Sequence, residues 1–345
     1  MLKFFREKLK STLKGIQSRR AANERAVEAA YKALLTRAPD AQGRSYYLQH
    51  LQTGRMDLEQ MLCSLVQSRE GVRRNLDRLS PQGFNSAPSD ILGRLRGGAI
   101  TRADFDKLWQ ETMPDEADMV IGQKAYLEVH KQRFYELANA VLHLLPPEGK
   151  LLEFGVSEFS RMYQRLCPNG SIVTADRPTT PDYPGFTPWR CLRALGGRAH
   201  FSIDLESRHE KHWEPLQAAG PYDLVVFAEV LEHLQAEPVA LMRDLLGLLA
   251  ANGVLYLTTP NFFRQENLEK LAEGLNPQPY YPGPAENWDA HYHYREYTMM
   301  ELEQIVEQAR GVRAAAYFSD CWQDPSGALV LIAGRPGCVV AGMSG

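Results

Sequence analysis

The sequence predicts an α/β protein: a doubly wound sheet with helices on both faces, preceded by a small all-α domain. Three observations carry this. From Lys150 onward, short apolar runs alternate with stretches of helical periodicity, the pattern of a parallel sheet with crossover helices. Residues 22–78 instead read as helical throughout, broken only at RAPDAQGRS, where Pro39, Asp40 and Gly43 supply turn chemistry. Between the two lies LSPQGFNSAPSD, Leu79 to Asp90, rich in Pro, Ser, Gly and Asn. The chain therefore divides into a basic helix (1–21), a helical domain (22–78), a linker with further helices (79–119) and the α/β domain (120–345).

Composition narrows the classes. With 345 residues, 44% of them hydrophobic, the chain has material for two cores. A formal charge of −3 provides no global field for nucleic acid. The five cysteines are odd in number and scattered, with no CxxC pair, which argues against a disulfide framework or a thiolate zinc site and suits a reducing cytoplasm. No apolar run approaches the ~18 residues that a membrane span requires.

The first element is MLKFFREKLKSTLKGIQSRR, with seven Lys/Arg against one Glu. Leu2, Phe5, Leu9, Leu13 and Ile16 recur along one helical stripe. Two readings stay open: an interfacial helix on an anionic leaflet through residues 1–20, or a helix docked on its own protein or on a second copy in a homo-oligomer. Next, Tyr31, Leu34, Leu35, Arg37, Pro39, Asp40, Gly43, Tyr46, Leu51, Gly54 and Ser68 form a pattern that resembles a helical domain family of unknown function, number 4214. That family keeps company with bacterial surface and glycan-related proteins. Arg37 and Asp40 read as a local turn clamp. A long helix is expected from Val120 to Leu145, ended by Pro146 and Pro147.

Seven strands follow, at KLLEFG, SIVTAD, AHFSID, YDLVVFAE, GVLYLTTPN, RAAAYFS and ALVLIAG. Ligands of doubly wound sheets lie over the carboxyl ends of the strands. Those ends carry Glu153, Asp176, Asp204, Glu229 and Asn261. Asn252 and Gly253 read as a turn.

LLEFGVSEFS resembles the first motif of class I S-adenosylmethionine-dependent methyltransferases, with their Rossmann-like sheet, in which an acid precedes Gly-x-Gly-x-Gly. Glu153 and Gly155 fit; Ser157 and Phe159 stand where the second and third glycines usually do. Asp176 ends the next strand at the spacing of an acid that hydrogen-bonds ribose hydroxyls. Its neighbour Arg177 would suit a 2′-phosphate, but a chain with one of three glycines fits a ligand without phosphate better. The resemblance implies S-adenosylmethionine as cofactor, with Glu153, Phe154, Gly155, Ser157, Asp176, Arg177, Asp204, Leu205 and Glu229 around it.

FAEVLEHLQ holds Glu229, Glu232 and His233, which a helix would gather on one face. NWDAHYHYREYT adds His291 and His293, which point the same way in an extended segment. Together they resemble the paired motifs of small-RNA 2′-O-methyltransferases and of ubiquinone-biosynthesis O-methyltransferases. That resemblance implies a divalent cation, Mg²⁺ or Mn²⁺, on Glu229, Glu232, His233 and His293, with His291 as supporting or alternate ligand. Without a metal, His233 or His293 becomes a general base. Trp189, Trp213, Trp288, Tyr280 and Tyr281 read as packing residues, although the aromatic, Pro-rich inserts PTTPDYPGFTPWR and GLNPQPYYPGPAENWDAH would suit stacking on sugar rings. Arg295 and Glu296 read as a structural ion pair.

The expectation is a cytoplasmic O-methyltransferase, peripheral to the inner face of the membrane. Its substrate would be a sugar hydroxyl of a surface glycan or lipid-linked glycan, with methylation ending chain growth. The rivals are a methyltransferase acting on a small phenol, a protein or RNA ribose, and a non-catalytic binding module on a decayed methyltransferase fold.

Overall fold

The structure is a computed structural model, and it describes residues 20–35, 37–68, 70, 95, 97–113, 123–177, 199–206, 210–278, 293–321 and 324–338. His291, Trp189, Trp288, Tyr280, Tyr281, most of the two aromatic inserts, the linker Leu79–Asp90 and all but the end of the basic helix lie outside the described residues. Among the described residues no helix is long and apolar enough to cross a membrane. The chain forms two compact units: Met1–Gln82 with Gln265–Pro277, and Gly83–Arg264 with Gln278–Gly345.

The first unit contains helices at 20–35, Ala41–Thr53 and Leu58–Gln67 around Val27, Tyr31, Leu35, Tyr47, Met61 and Leu65. The turn residues act as their types predict. Asp40 caps the second helix by accepting from the Gly43 N–H at 2.7 Å, and Arg37 pairs with Asp40 at 3.2 Å and with Glu70 at 2.5 Å. Gly43 leaves the space that Tyr31 fills, since a Cβ there would lie 2.1 Å from the tyrosine hydroxyl oxygen.

The second unit is built on seven strands: β1 (Lys150–Phe154), β2 (Ser171–Asp176), β3 (His200–Ser202), β4 (Tyr222–Ala228), β5 (Leu249–Pro260), β6 (Val312–Cys321) and β7 (Asp324–Gly334). Their order is β3-β2-β1-β4-β5-β7-β6. All seven expected strands are present. The sheet is mixed rather than all parallel: β7 runs antiparallel to both β5 and β6. Cys321 pairs with Asp324, so two residues separate β6 from β7, a connection that only antiparallel strands allow. Asn252 and Gly253 lie inside β5, beside a shift in its register against β4, rather than in a turn. A Cβ on Gly253 would lie 2.4 Å from the Tyr222 carbonyl oxygen, so this close approach requires glycine.

Strand side chains alternate between two cores. Leu152, Phe154, Val225, Phe227, Leu255 and Leu257 face the helices Glu210–Ala219, Pro238–Gly247 and Met299–Gln308. Leu151, Leu224, Val226, Val254 and Tyr256 face the helices Arg102–Thr112 and Gln123–Leu144. Both faces being covered explains the near-continuous apolar strands. Trp213 packs in the first core, as expected of it. The chain runs outward from β1 to β2 and β3 on one side, then returns to β4 on the other. That reversal sets a crevice at the carboxyl ends of β1 and β4.

Candidate active site

The loop after β1 forms one wall of the crevice. Gly155 has φ +76°, and a Cβ there would lie 2.9 Å from the Val230 Cγ2, so conformation and space both demand glycine. The rest of the loop is not a glycine nest. Ser157 caps the 3₁₀ turn Glu158–Arg161, its Oγ accepting from the Phe159 N–H at 3.2 Å, while the Ser160 Oγ accepts from the Ser157 N–H at 3.0 Å. The Ser160 hydroxyl in turn donates to Glu153, and the Tyr163 hydroxyl donates to the second Glu153 oxygen at 3.0 Å. Glu153 is 3% exposed and turned inward. Expected among the cofactor contacts, it holds the loop from below through these two hydroxyls. Phe159 is fully buried, stacked on Phe134 at 5.4 Å and edge-on to Tyr163 at 5.2 Å. The departure from glycine is thus a built-in plug. Phe154 lies in the sheet core against Phe227 and Trp213, so only its backbone faces the crevice end.

Asp176 joins the loop to β2. One oxygen accepts from the Val156 N–H at 3.1 Å and the other from the Arg177 N–H at 2.7 Å. Burial pushes its carboxyl above the usual carboxylate value despite these two donors. The Arg177 side chain is exposed. Asp204 accepts from the Glu206 N–H at 3.0 Å, and Leu205 packs against the core below. A glycine loop, an acid at the end of β2 and an acid–leucine pair after β3 fit the parts of a nucleoside: backbone against its edge, carboxylate for ribose hydroxyls, an apolar neighbour for the base.

At the end of β4 the expected helix is absent. Glu229 has φ +55°, a left-handed conformation that a glutamate rarely adopts, and the residues that follow it form only the short 3₁₀ turn Leu231–His233 before the helix Pro238–Gly247. Its N–H donates to the Thr258 carbonyl at 2.9 Å, its Oε1 accepts from the Thr258 hydroxyl at 2.9 Å, and Arg133 stands 3.7 Å away with its side chain buried. The left-handed kink sends Glu229 to Thr258 and Arg133 rather than onto the face of Glu232 and His233.

Glu232, His233 and His293 do come together, with one ligand atom from each within 4.8 Å of the others. The imidazole centroids are 5.0 Å apart at 70°. Glu232 is 1% exposed. Its Oε2 accepts from the Thr259 hydroxyl at 3.0 Å, whereas its buried Oε1 has no hydrogen-bond partner and lies 3.8 Å from the His233 Nε2. Burial first, and the charge of Glu229 second, push its carboxyl well above the usual range. The Tyr294 N–H at 2.8 Å and the Arg295 N–H at 3.3 Å donate to the Glu232 carbonyl, pinning the two histidine segments together.

Sequence reasoning missed the partners. The His293 Nδ1 is 2.7 Å from the buried Glu296 carboxylate, whose other oxygen accepts from Arg264. A protonated Nδ1 leaves Nε2 with the lone pair, as in the carboxylate–histidine pairs behind metal ligands. Glu296 is therefore not paired with Arg295, which meets Glu301 at 2.6 Å. The two threonines at the end of an otherwise apolar GVLYLTTPN were a legible signal for Thr258 and Thr259; nothing in the sequence marked Arg133. An orphaned, buried carboxylate oxygen facing two imidazoles fits a small divalent cation.

Fold and crevice are those of the Rossmann-like class, a doubly wound sheet whose topological switch point opens at the carboxyl ends of β1 and β4. Residues 129–311 match a family described as a methyltransferase domain, and residues 15–75 match the helical domain of unknown function 4214. The chain belongs to that methyltransferase family and is an S-adenosylmethionine-dependent methyltransferase. No curated protein matches its sequence. Solved structures similar to it include the magnesium protoporphyrin IX methyltransferase of Synechocystis PCC 6803 with bound S-adenosylhomocysteine, at 15% identity and TM-score 0.42 over 67% of this chain and 94% of that one. A second is a putative O-methyltransferase of Nostoc punctiforme PCC 73102, at 15% identity and TM-score 0.39 over 96% and 99%. A third is an O-methyltransferase family 2 protein of Planctomyces limnophilus, at 12% identity and TM-score 0.38, of which this chain spans 61%.

Proposed function

We propose that the enzyme methylates a hydroxyl of a sugar, one of a vicinal pair, in a bacterial surface polysaccharide or its lipid-linked precursor, ending or marking the chain. The observation that carries the O-methyl reading is the unpartnered, buried Oε1 of Glu232 facing His233 and His293, with Glu296 behind. Glu232, His233 and His293 would hold a divalent cation; when bound, it lowers the pKa of a hydroxyl and fixes its direction. The acceptor oxygen attacks the sulfonium methyl in line. An O–C bond forms, the C–S bond breaks, S-adenosylhomocysteine leaves, and the hydroxyl proton passes to a base in the crevice. A second reading rests on the Glu296–His293 pair: it orients Nε2 to take that proton without any metal. The sugar is supported by the helical domain's glycan-related company, the aromatic inserts and the net negative charge. The work is assigned to the cytoplasm, beside the membrane if residues 1–20 bind it.

The test is methyl transfer from labelled S-adenosylmethionine to surface-glycan extracts, with EDTA and with Mg²⁺ or Mn²⁺ restored. Loss in EDTA, rescue by metal and abolition by Glu232→Gln support the cation reading. Full activity in EDTA leaves the histidine base. No binding of S-adenosylmethionine by calorimetry ends both.

A further inference from the structure

Beside the histidine pair lies a groove of about 550 Å³, in the size range of ligand clefts. Its near edge is formed by Leu234 and Tyr294, the residues that directly follow His233 and His293. The donors that close this edge, the N–H groups of Tyr294 and Arg295, are those bonded to the Glu232 carbonyl. Groove and trio are thus two faces of one hydrogen-bonded junction. From it the groove runs along the exposed side of the helix Met299–Gln308 to Gln304 and Gln308, opposite the segment Gln235–Pro238.

We propose that this groove is the acceptor's extension subsite: it holds the sugar units next to the one whose hydroxyl is methylated. The inference rests on the glycan reading above and adds where the chain of sugars lies. Its chemistry favours that occupant. Gln235, Gln304 and Gln308 are exposed amides, each offering a donor and an acceptor to neighbouring hydroxyls. Arg295, the cation of the lining, is held by Glu301 at 2.6 Å. Glu237 adds a second carboxylate, so the lining carries a net charge of −1 (Arg295 against Glu237 and Glu301). A phosphate backbone would meet repulsion there; an uncharged polyhydroxyl chain would meet hydrogen-bond partners. The half-buried Tyr294 gives one wall an aromatic surface of the kind on which sugar faces pack, while Tyr297 is buried behind it with the Arg295 guanidinium over its ring at 5.4 Å.

The experiment uses the full chain with S-adenosylhomocysteine on a microarray of bacterial surface oligosaccharides graded from disaccharide to hexasaccharide, with single-stranded RNA on the same slide. The wild type is expected to bind longer oligosaccharides more tightly than disaccharides. Gln304→Ala/Gln308→Ala should weaken them by about tenfold or more and erase the length dependence. Both residues are exposed, so thermal midpoint and S-adenosylmethionine affinity should not move. In methylation of the best-bound oligosaccharide, the double variant should raise KM and leave kcat. Equal binding and equal KM in the two proteins, with methylation intact, overturn the groove while leaving the glycan reading. Binding of cofactor without any oligosaccharide overturns both, and RNA binding that the double variant abolishes reassigns the groove to nucleic acid.

Discussion

If Phe159 were merely a decayed motif position, restoring glycine would repair the cofactor loop; if it is a plug, Phe159→Gly unfolds part of the domain. The structure supports the plug. The ring is fully buried, parallel to Phe134 within 9° at 5.4 Å, and edge-on to Tyr163. Removing a buried phenylalanine costs about 3–5 kcal/mol, and glycine in place of alanine adds roughly 0.5–1 kcal/mol of backbone entropy. The expected loss is therefore about 3.5–6 kcal/mol, a large share of the ~5–15 kcal/mol that domains of this kind possess. Phe159→Leu keeps most of the apolar volume and should cost about 1.5 kcal/mol or less. Urea denaturation followed by tryptophan fluorescence gives both values. Cofactor affinity, measured by calorimetry, should fall in the glycine variant, because the same turn positions Ser160 over Glu153. A glycine variant as stable as the wild type that binds S-adenosylmethionine more tightly would refute the argument.

Gly155→Ala should lose cofactor binding and about 1–2 kcal/mol of stability from the left-handed backbone, and pairing it with Val230→Ala should recover only the contact part, by the same two assays. Asp176→Asn should weaken S-adenosylmethionine by about tenfold to a hundredfold in calorimetry, the scale of a charged hydrogen bond. Its folded pKa is raised above the usual 3.8, so its stabilising contribution is present below that value and lost as pH rises through the folded pKa. Urea midpoints of Asp176→Asn should accordingly fall less than those of wild type as pH is raised from about 4 to 7. Glu296→Gln should reduce Mn²⁺ affinity by about tenfold to a hundredfold in calorimetry, since His293 loses the carboxylate that fixes its tautomer.

The strands were legible because both sheet faces are buried, which writes each strand as an apolar run; the direction of β7 depends on a hairpin that periodicity does not encode. Gly155 and Asp176 were legible because a left-handed turn and a strand-end acid have characteristic residue types. Arg295 and Glu296 were not. In an extended segment adjacent side chains point to opposite faces, so one goes out to Glu301 and the other in to His293 and Arg264. A sequence shows two neighbouring charges and cannot show that neither partners the other. Phe159 misled for a related reason, since the Phe134 that receives it lies on a helix before β1.

Glu229 is where these lessons meet. A glutamate at φ +55° costs about 1–2 kcal/mol, which Glu229→Gly relieves, less roughly 0.5–1 kcal/mol of glycine entropy. Strain alone thus makes the variant neutral or slightly more stable. The ion pair points the other way: Arg133 and Glu229 have side chains only 8% and 10% exposed, and breaking a buried pair from one side costs about 3–5 kcal/mol. The second effect is larger, so Glu229→Gly should destabilise by about 2 kcal/mol or more. Adding Arg133→Met removes the buried guanidinium that faced Glu229 and should recover most of the loss, because a well-packed apolar residue replaces a buried ion without its desolvation penalty. Glu229 also holds the Glu232 carboxyl upward, so its removal lets Glu232 ionise more readily. The double variant should therefore be nearly as stable as wild type in urea. If Glu229→Gly alone is as stable as wild type, the strained residue is not held in place by Arg133, and a strand-end conformation that disfavours folding is retained for the chemistry beside it.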